Sequence, residues 1–448
     1  AQGAVFNQGL NYFTAETGAC TDKQILNELQ ADGGGALIVE SLLVKEGHEV
    51  KYYIKNTDDK EVGDGFITKT DKWETDVDWA DIIVFDDVLG HGTHAHKLRA
   101  QGKHVIGGTP YTDKLEDDRG FGQEELKKAG VTIIPYQNFT SFDDAITYVK
   151  EHPGRYVIKP SGEAQNIKGL LFVGEEDDGR DVIQVLTDYK NAWAKKIPEF
   201  QLQKRITGVE VAVGAFFNGK QFLHPINVNF EHKKLFPGNL GPSTGEMGTL
   251  GFWSEPNKIF NSTLQKFESK LAEEKYIGYI DINCIVNSNG IYPLEWTARF
   301  GYPTISIQQE SMITPIGQFF YELATGTTTH FKVKNGFHIG VRIVVPPFPY
   351  KDKETFNVKS KDSVVFFKRP TEGVHIEDVK NVNGEWLVTG NSGVILIVCG
   401  IGPTMKQAQQ QAYNRIKNIL IPHMYYRKDI GDRWIEDSDK LHNWGYLR

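Results

Sequence analysis

The chain has 448 residues, more than one ordinary hydrophobic core can organise, so two to four domains are expected. Its apolar fraction of 40% and charged fraction of 24% are typical of a soluble globular protein, and its net charge of −8 argues against a general binder of nucleic acid. With three distant cysteines, no apolar run near 18 residues and no leader pattern, the sequence favours a cytoplasmic enzyme or binding protein that contacts no membrane.

The first third alternates between helical and extended patterns. Residues 36–45 have helical apolar spacing, while 48–54, 81–85 and 103–107 are typical of strands. This alternation predicts a parallel sheet with covering helices, that is, a Rossmann-like domain over residues 1–115. Such a domain should open with an apolar strand, and we expect residues 24–30 to make a poor one.

Three consecutive glycines, Gly33, Gly34 and Gly35, come just before the first predicted helix. Glycines at this place let the backbone approach an anion at the helix N-terminus. We therefore regard them as candidates for binding a phosphate group.

The middle of the chain, residues 116–331, has a mixed α+β pattern. Helices are predicted at 123–130 and 142–151, and strands at 156–160, 209–217 and 279–286. The part between about 125 and 200 is predicted to form a smaller lid.

A third region, residues 332–448, is predicted to be β-rich. It opens with a strand at 338–345 and contains a helix at about 404–420. The aromatic and charged residues 431–448 are predicted to form a tail docked on the rest of the chain.

Two lysines flank a polar loop that follows a predicted strand: Lys159 in IKPSG (158–162) and Lys168 in KGLLFV (168–173). A lysine at a strand end can neutralise ATP phosphates, and a mobile loop above them would exclude water. The plain alternative is a pair of solvated surface charges.

Two carboxylates lie on apolar runs joined by the turn SNG (288–290): Asp281 in IDIN (280–283) and Glu295 in LEWTARFG (294–301). A hairpin could bring both to one side, where paired carboxylates can hold Mg²⁺. Alternatively, each carboxylate faces solvent. Arg299, four residues on, could clamp a substrate carboxylate, or form an ion pair with Glu295 or Asp281.

A long loop rich in glycine and proline follows EHKK (231–234) and contains GPSTGEMG (241–248). Loops of this length that persist in a compact domain are commonly functional. A flexible loop beside a solvated charge run explains the pattern equally well.

These motifs stand in the order found in the glycinamide ribonucleotide synthetases, and the resemblance spans about 105–433. Further matching segments are GTP (108–110), YQNFT (136–140), VIKP (157–160), NSGVILIVCGIG (391–402) and RKDIG (427–431). The resemblance implies an ATP-grasp fold with a Rossmann-like N-terminal domain and a β-rich C-terminal domain. It also implies a ligase that activates glycine as an acyl phosphate for attack by 5-phosphoribosylamine in purine biosynthesis.

The resemblance implies a role for each candidate residue. ATP would contact Lys159, Lys168, Lys204 and Glu210, with Lys159 and Arg299 catalytic. Mg²⁺, with Mn²⁺ as an alternative, would be held by Asp281, Glu295 and Thr297. The substrates would meet Gly33, Gly34, Gly35, Glu231, Lys233, Ser243, Thr244, Gly245 and Arg299. The partners would be small molecules, and the chain a monomer or weak homodimer.

The sequence departs from this family around the nucleotide and the substrates. Thr297 stands where the family usually has asparagine, Tyr302 and Thr304 replace an acidic pair, and the usually acidic hinge reads QLQKR (201–205). Two alternatives therefore stay open: a divergent ligase that joins another acid to another amine, and a non-catalytic paralogue that binds nucleotide.

Overall fold

The computed structural model describes residues 42–86, 90–161, 164, 170–370 and 372–448, together with the backbone of 24–29. The predicted phosphate-binding glycines 33–35 and Lys168 lie outside the described residues. Most of the predicted helix 36–45 does too, and its described part, 42–45, is helical.

The N-terminal region is a five-stranded parallel sheet in the order β3-β2-β1-β4-β5. Its strands are β1 (Gln24–Leu29), β2 (Glu49–Ile54), β3 (Thr68–Lys69), β4 (Ile82–Phe85) and β5 (Val105–Ile106). The expectation of a poor strand at 24–30 is wrong, because β1 is the central strand. Hydrogen bonds to β2 and β4 on both sides stabilise it where its own pattern does not.

A second, four-stranded antiparallel sheet follows, in the order β6-β9-β7-β8. In chain order, the helices and strands of residues 91–204 are α1 (His91–Ala100), α2 (Pro110–Asp117), α3 (Arg119–Lys128), β6 (Tyr136–Phe139), α4 (Phe142–Glu151), β7 (Tyr156–Pro160), β8 (Phe172–Val173), α5 (Arg180–Trp193) and β9 (Phe200–Lys204). Ser141 caps α4 through the Asp144 amide, and Phe142 stacks on Phe200 at 4.7 Å, so the helix is fixed on the sheet. This small layered unit covers most of the residues predicted to form the lid, about 125–200, and we call it the lid; its role as a lid stays a prediction.

The largest sheet has eight strands in the order β16-β15-β10-β11-β14-β17-β22-β19, and every neighbouring pair is antiparallel. The strands and helices up to β17 are β10 (Val209–Asn218), β11 (Ile226–Glu231), β12 (Lys234–Phe236), β13 (Leu240–Ser243), β14 (Gly248–Ser254), α6 (Lys258–Ser262), α7 (Glu268–Glu273), β15 (Ile277–Asn287), β16 (Gly290–Thr297), α8 (Thr304–Ser311), α9 (Ile316–Thr325) and β17 (Phe337–Val344). Apolar side chains of β10, β11, β14 and β15 fill the main core behind this sheet.

Beyond β17, the C-terminal region adds two strands to the same sheet and forms two separate two-stranded sheets. Its elements are α10 (Lys353–Lys359), β18 (Phe366–Phe367), β19 (Val374–Ile376), β20 (Val379–Val382), β21 (Glu385–Val388), β22 (Val394–Gly402), α11 (Met405–Ile416), β23 (Ile419–Leu420) and α12 (Trp434–Asn443). Because β17 pairs with β14, the sheet runs without a break across the predicted border at 331/332. The three-domain division stays a prediction.

The C-terminal tail packs on the sheet, as predicted. Trp434 in α12 contacts Phe230, Phe252 and Phe337, with ring centroids 5.2, 5.3 and 5.4 Å apart. None of the helices that the structure describes combines the length and the apolar character needed to cross a bilayer.

Candidate active site

The hairpin of β15 and β16 brings four polar side chains to one face of the large sheet. The predicted turn at 288–290 joins the strands, with Asp281 opposite Thr297 and Asn283 opposite Glu295. Side chains two residues apart on a strand point to the same face, so all four lie together. The predicted placement of Asp281 and Glu295 on one side is confirmed.

A single lysine stands among three carboxylates beside this hairpin. The Lys233 Nζ lies 3.0 Å from Glu210, 3.3 Å from Glu231 and 2.7 Å from Glu295. The Asn283 amide donates to Glu210 and Glu231 at 3.3 and 3.1 Å. We call these five residues the Lys233 cluster; it joins side chains from four strands, β10, β11, β15 and β16.

The charges in the Lys233 cluster are strongly coupled. The positive charge of Lys233 lowers the pKa of Glu295 to about 2. Burial opposes the charge on Lys233, but the three glutamates outweigh it and raise the pKa of the ammonium well above its usual value. Burial raises the pKa of Glu231, with Lys233 opposing it.

The lid brings Lys159 to the same site. Lys159 lies on β7 and is buried, and burial together with the charge of Arg119 lowers its pKa to about 7. The charges of Glu295 and Glu210 also act on it. Arg119 is fixed beside it, since its guanidinium donates to the Pro160 carbonyl at 3.0 Å. Lys159 therefore lies near Glu295, while its predicted convergence with Asp281 and Lys168 stays a prediction.

A second group of charges lies further along the hairpin. Asp281 is buried, and burial followed by the charge of Glu231 raises its pKa well above the usual range, while a hydrogen bond from Thr297 opposes the shift. Arg299 Nε donates to Glu116 at 3.1 Å. Arg299 thus forms an ion pair with Glu116, and its charge also acts on Asp281, one of the two carboxylates that the sequence suggested.

The remaining predicted residues are placed less uniformly. Thr244 hydrogen-bonds the Lys233 carbonyl through its amide at 2.9 Å and its hydroxyl at 3.0 Å, which ties the glycine-rich loop to the Lys233 cluster. Ser243 and Gly245 are exposed, and so is Lys204 at the end of β9, where Gln201 and Gln203 are the buried polar residues. The roles of all these residues stay predictions.

Sequence reasoning missed four residues of the site: Glu116, Arg119, Glu246 and Asn283. The sequence did give one indication for Arg119. A cation in the first turn of a helix is unfavourable against the helix dipole, so a functional contact is a natural explanation for its presence there. Asn283 also did, since it lies two residues from Asp281 on the same strand face. Glu116 and Glu246 reach the site only through tertiary packing, which no local pattern reports.

The fold and the site define a class of protein. A lid sheet that faces a large antiparallel sheet, with lysines and carboxylates between them, is the arrangement of an ATP-grasp enzyme, an ATP-dependent carbon–nitrogen ligase. The model of the phosphoribosylglycinamide synthetase ATP-grasp (A) domain matches residues 117–305, and that of the C domain matches residues 339–433. Together they cover more than half of the chain, which belongs to the phosphoribosylglycinamide synthetase family. The predicted family, fold class and enzyme class are confirmed.

Curated relatives carry the name phosphoribosylamine–glycine ligase. The protein of Streptococcus pyogenes serotype M1 is 24% identical over 375 residues, covering 81% of this chain and 86% of the relative. That of Streptococcus pneumoniae is 23% identical over 373 residues, covering 81% and 85%.

Solved structures show the same fold. The phosphoribosylamine–glycine ligase of Thermotoga maritima superposes with a TM-score of 0.69 at 19% identity, covering 91% of this chain and all of the other. The biotin carboxylase domain of Hydrogenobacter thermophilus 2-oxoglutarate carboxylase, solved with MgADP, gives 0.61 at 15% identity, covering 95% and 99%.

Proposed function

We propose that the chain joins glycine to 5-phosphoribosylamine with cleavage of ATP to ADP and phosphate, yielding glycinamide ribonucleotide. The observation that carries this proposal is the Lys233 cluster, met by Lys159 from the lid, in a chain of this family. Its cations suit a triphosphate, and its carboxylates suit the metal that accompanies one.

The reaction needs activation because a carboxylate is a poor electrophile, whose leaving group would be oxide. Transfer of the terminal phosphoryl group of ATP to the glycine carboxylate gives an acyl phosphate, and the amine of phosphoribosylamine then attacks its carbonyl carbon and releases phosphate. Catalysis rests on positioning and charge neutralisation. Lys159 and Arg119 would contact the phosphates, and the Arg299 guanidinium would hold the glycine carboxylate.

The residues of the Lys233 cluster fit a magnesium ion. Glu210, Glu231 and Glu295 already converge on one cation, and the buried Asn283 Oδ1 accepts no hydrogen bond from any group in the described part of the chain. These are oxygen donors, which Mg²⁺ requires and Mn²⁺ accepts. We propose Glu295, with Asn283 or Asp281, as ligands; the ion would neutralise charge on the transferred phosphoryl group. The MgADP in the Hydrogenobacter neighbour supports this assignment.

The acceptor amine would bind between Glu231 and the glycine-rich loop 241–248. Two hydrogen bonds from Thr244 to the Lys233 carbonyl join this loop to the Lys233 cluster. The state of assembly, monomer or weak homodimer, stays a prediction.

The test is phosphate release by the purified chain with Mg·ATP. We expect release only when glycine and phosphoribosylamine are both present, with formation of glycinamide ribonucleotide by mass spectrometry. Omission of either substrate is the matched control. Absence of turnover with the complete mixture would reject the proposal.

A second candidate is the same chemistry on a different pair of substrates. Tyr302 and Thr304 stand where the family has an acidic pair. The Tyr302 hydroxyl donates to the buried Asp86 at 2.8 Å, so Tyr302 links the middle region of the chain to the N-terminal region. A screen of acids and amines in which another pair turns over while glycine stays inert would favour it.

A further inference from the structure

Glu246, in the glycine-rich loop, is a buried carboxylate at the edge of the site. Glu246 is 7% exposed, and its Oε1 accepts no hydrogen bond from the residues that the structure describes. Leaving a buried acceptor unsatisfied is costly, so a native structure retains one where a ligand supplies the donor.

The backbone around Glu246 is held from both sides. The Glu246 carbonyl accepts a hydrogen bond from Arg342 Nη1 at 3.1 Å, and the amide of Met247 donates to the His232 carbonyl at 2.8 Å. Met247 is itself fully buried in a small apolar cluster. The carboxylate therefore extends from a fixed point of the chain.

Two cations act on Glu246, Arg342 and Lys233, but both already contact other groups. Burial, followed by the charge of Glu231, raises the pKa of Glu246 well above the usual value, and Asp281 adds to the effect. Lys233 already faces the three glutamates of its cluster. Arg342 directs its two terminal nitrogens to the carbonyls of Glu246 and Tyr302.

A ligand cation would satisfy this arrangement. An ammonium group offers three donors and one positive charge, and charge-assisted hydrogen bonds are about twice as strong as neutral ones. An ionised carboxylate or phosphate group offers no hydrogen-bond donor to Glu246 Oε1.

We propose that Glu246 is a specificity-determining residue that receives the α-ammonium group of the amino-acid substrate at the edge of the Lys233 cluster. The inference rests on the proposed function, because it names the part of glycine that lies opposite the activated carboxylate. It predicts that a 2-hydroxy acid, which lacks the ammonium group, binds poorly.

The experiment is calorimetry on the full chain with Mg²⁺ and a non-hydrolysable ATP analogue. The probes are glycine and three other small amino acids, each paired with its 2-hydroxy acid. We expect Glu246→Gln to weaken amino-acid binding by about tenfold to hundredfold and to leave the hydroxy acids unchanged. In turnover, KM for glycine should rise by a similar factor while kcat and KM for ATP change little.

Glu385→Gln, on the exposed β21 ribbon, is the matched control and should bind like the unmodified chain. Glu246→Ala serves as a second variant, and melting temperatures exclude misfolding. Equal losses for amino acids and hydroxy acids, or no amino acid bound better than its hydroxy acid by the unmodified chain, would overturn the inference. Failure of the proposed function is separate: glycine would then be inert while another amino acid still depends on Glu246.

Discussion

The β15–β16 hairpin and the glycine-rich loop 241–248 each place a glutamate in the same cleft, and the two glutamates have opposite properties. Glu295, on the hairpin, is partly exposed and touches the Lys233 ammonium, which lowers its pKa to about 2. Glu246, on the loop, is buried, and its pKa is raised well above the usual range. A neighbouring cation and access to water therefore keep Glu295 ionised, whereas Glu246 ionises readily only when a ligand brings a positive charge to it.

The largest effect that would sharpen this comparison is the loss of the charged hairpin glutamate. We expect Glu295→Gln to lower kcat by about 10²–10³-fold, the usual cost of losing one electrostatic contact to a transition state. Steady-state phosphate release measures it, with the melting temperature as the fold control. Turnover within a factor of two or three of the unmodified chain would remove Glu295 from the metal site.

The next effect concerns the far end of the hairpin. Arg299→Ala should raise KM for the acid substrate by about tenfold to hundredfold, because a charged hydrogen bond contributes about 1.5–3 kcal/mol. Arg180→Ala, an exposed arginine of the lid, is the matched control. If KM for the acid stays the same, Arg299 does not bind the substrate carboxylate, and its ion pair with Glu116 has a structural role.

A third test asks whether the lid lysine changes its charge on binding. With a pKa of about 7, Lys159 is mostly neutral at pH 8, and an approaching triphosphate raises that pKa. Binding of an ATP analogue at pH 8 should therefore take up as much as about one proton, measured by calorimetry in buffers of different ionisation enthalpy. Lys159→Met should lose this uptake; an unchanged value would place the proton on another group.

The smallest effect is on stability, and it has opposite signs for the two glutamates. The depressed pKa of Glu295 stabilises the fold above about pH 4.5, an effect lost as pH falls towards 2, so Glu295→Gln should lower the melting temperature at pH 7. The raised pKa of Glu246 destabilises the fold above about pH 4.5, so Glu246→Gln should raise it. We expect shifts of about 1–3 °C. Melting-temperature shifts of the same sign in both variants would contradict the proposed difference between Glu295 and Glu246.

Much of this site could be predicted because its chemistry follows strand periodicity. Asp281, Glu295 and the turn between them stand at regular spacing, so a hairpin with both carboxylates on one face followed from the sequence. Lys159 was predicted from its place at a strand end. Such local signals survive folding because strand alternation is set by the backbone.

The rest depends on contacts between distant segments. Glu116 reaches Arg299 across 183 positions, and Lys233 reaches Glu295 across 62. The strand at 24–29 was misjudged for the same reason, since its hydrogen-bond partners lie on two other strands. Contacts between distant segments produce no recognisable pattern in the sequence around each residue.

The pairing of β14 with β17 has a consequence for any attempt to divide the protein. Separate expression of residues up to about 331 would leave β14 as a long unprotected edge, with Leu250 and Phe252 no longer covered by their partners. Such fragments should aggregate rather than fold as independent halves.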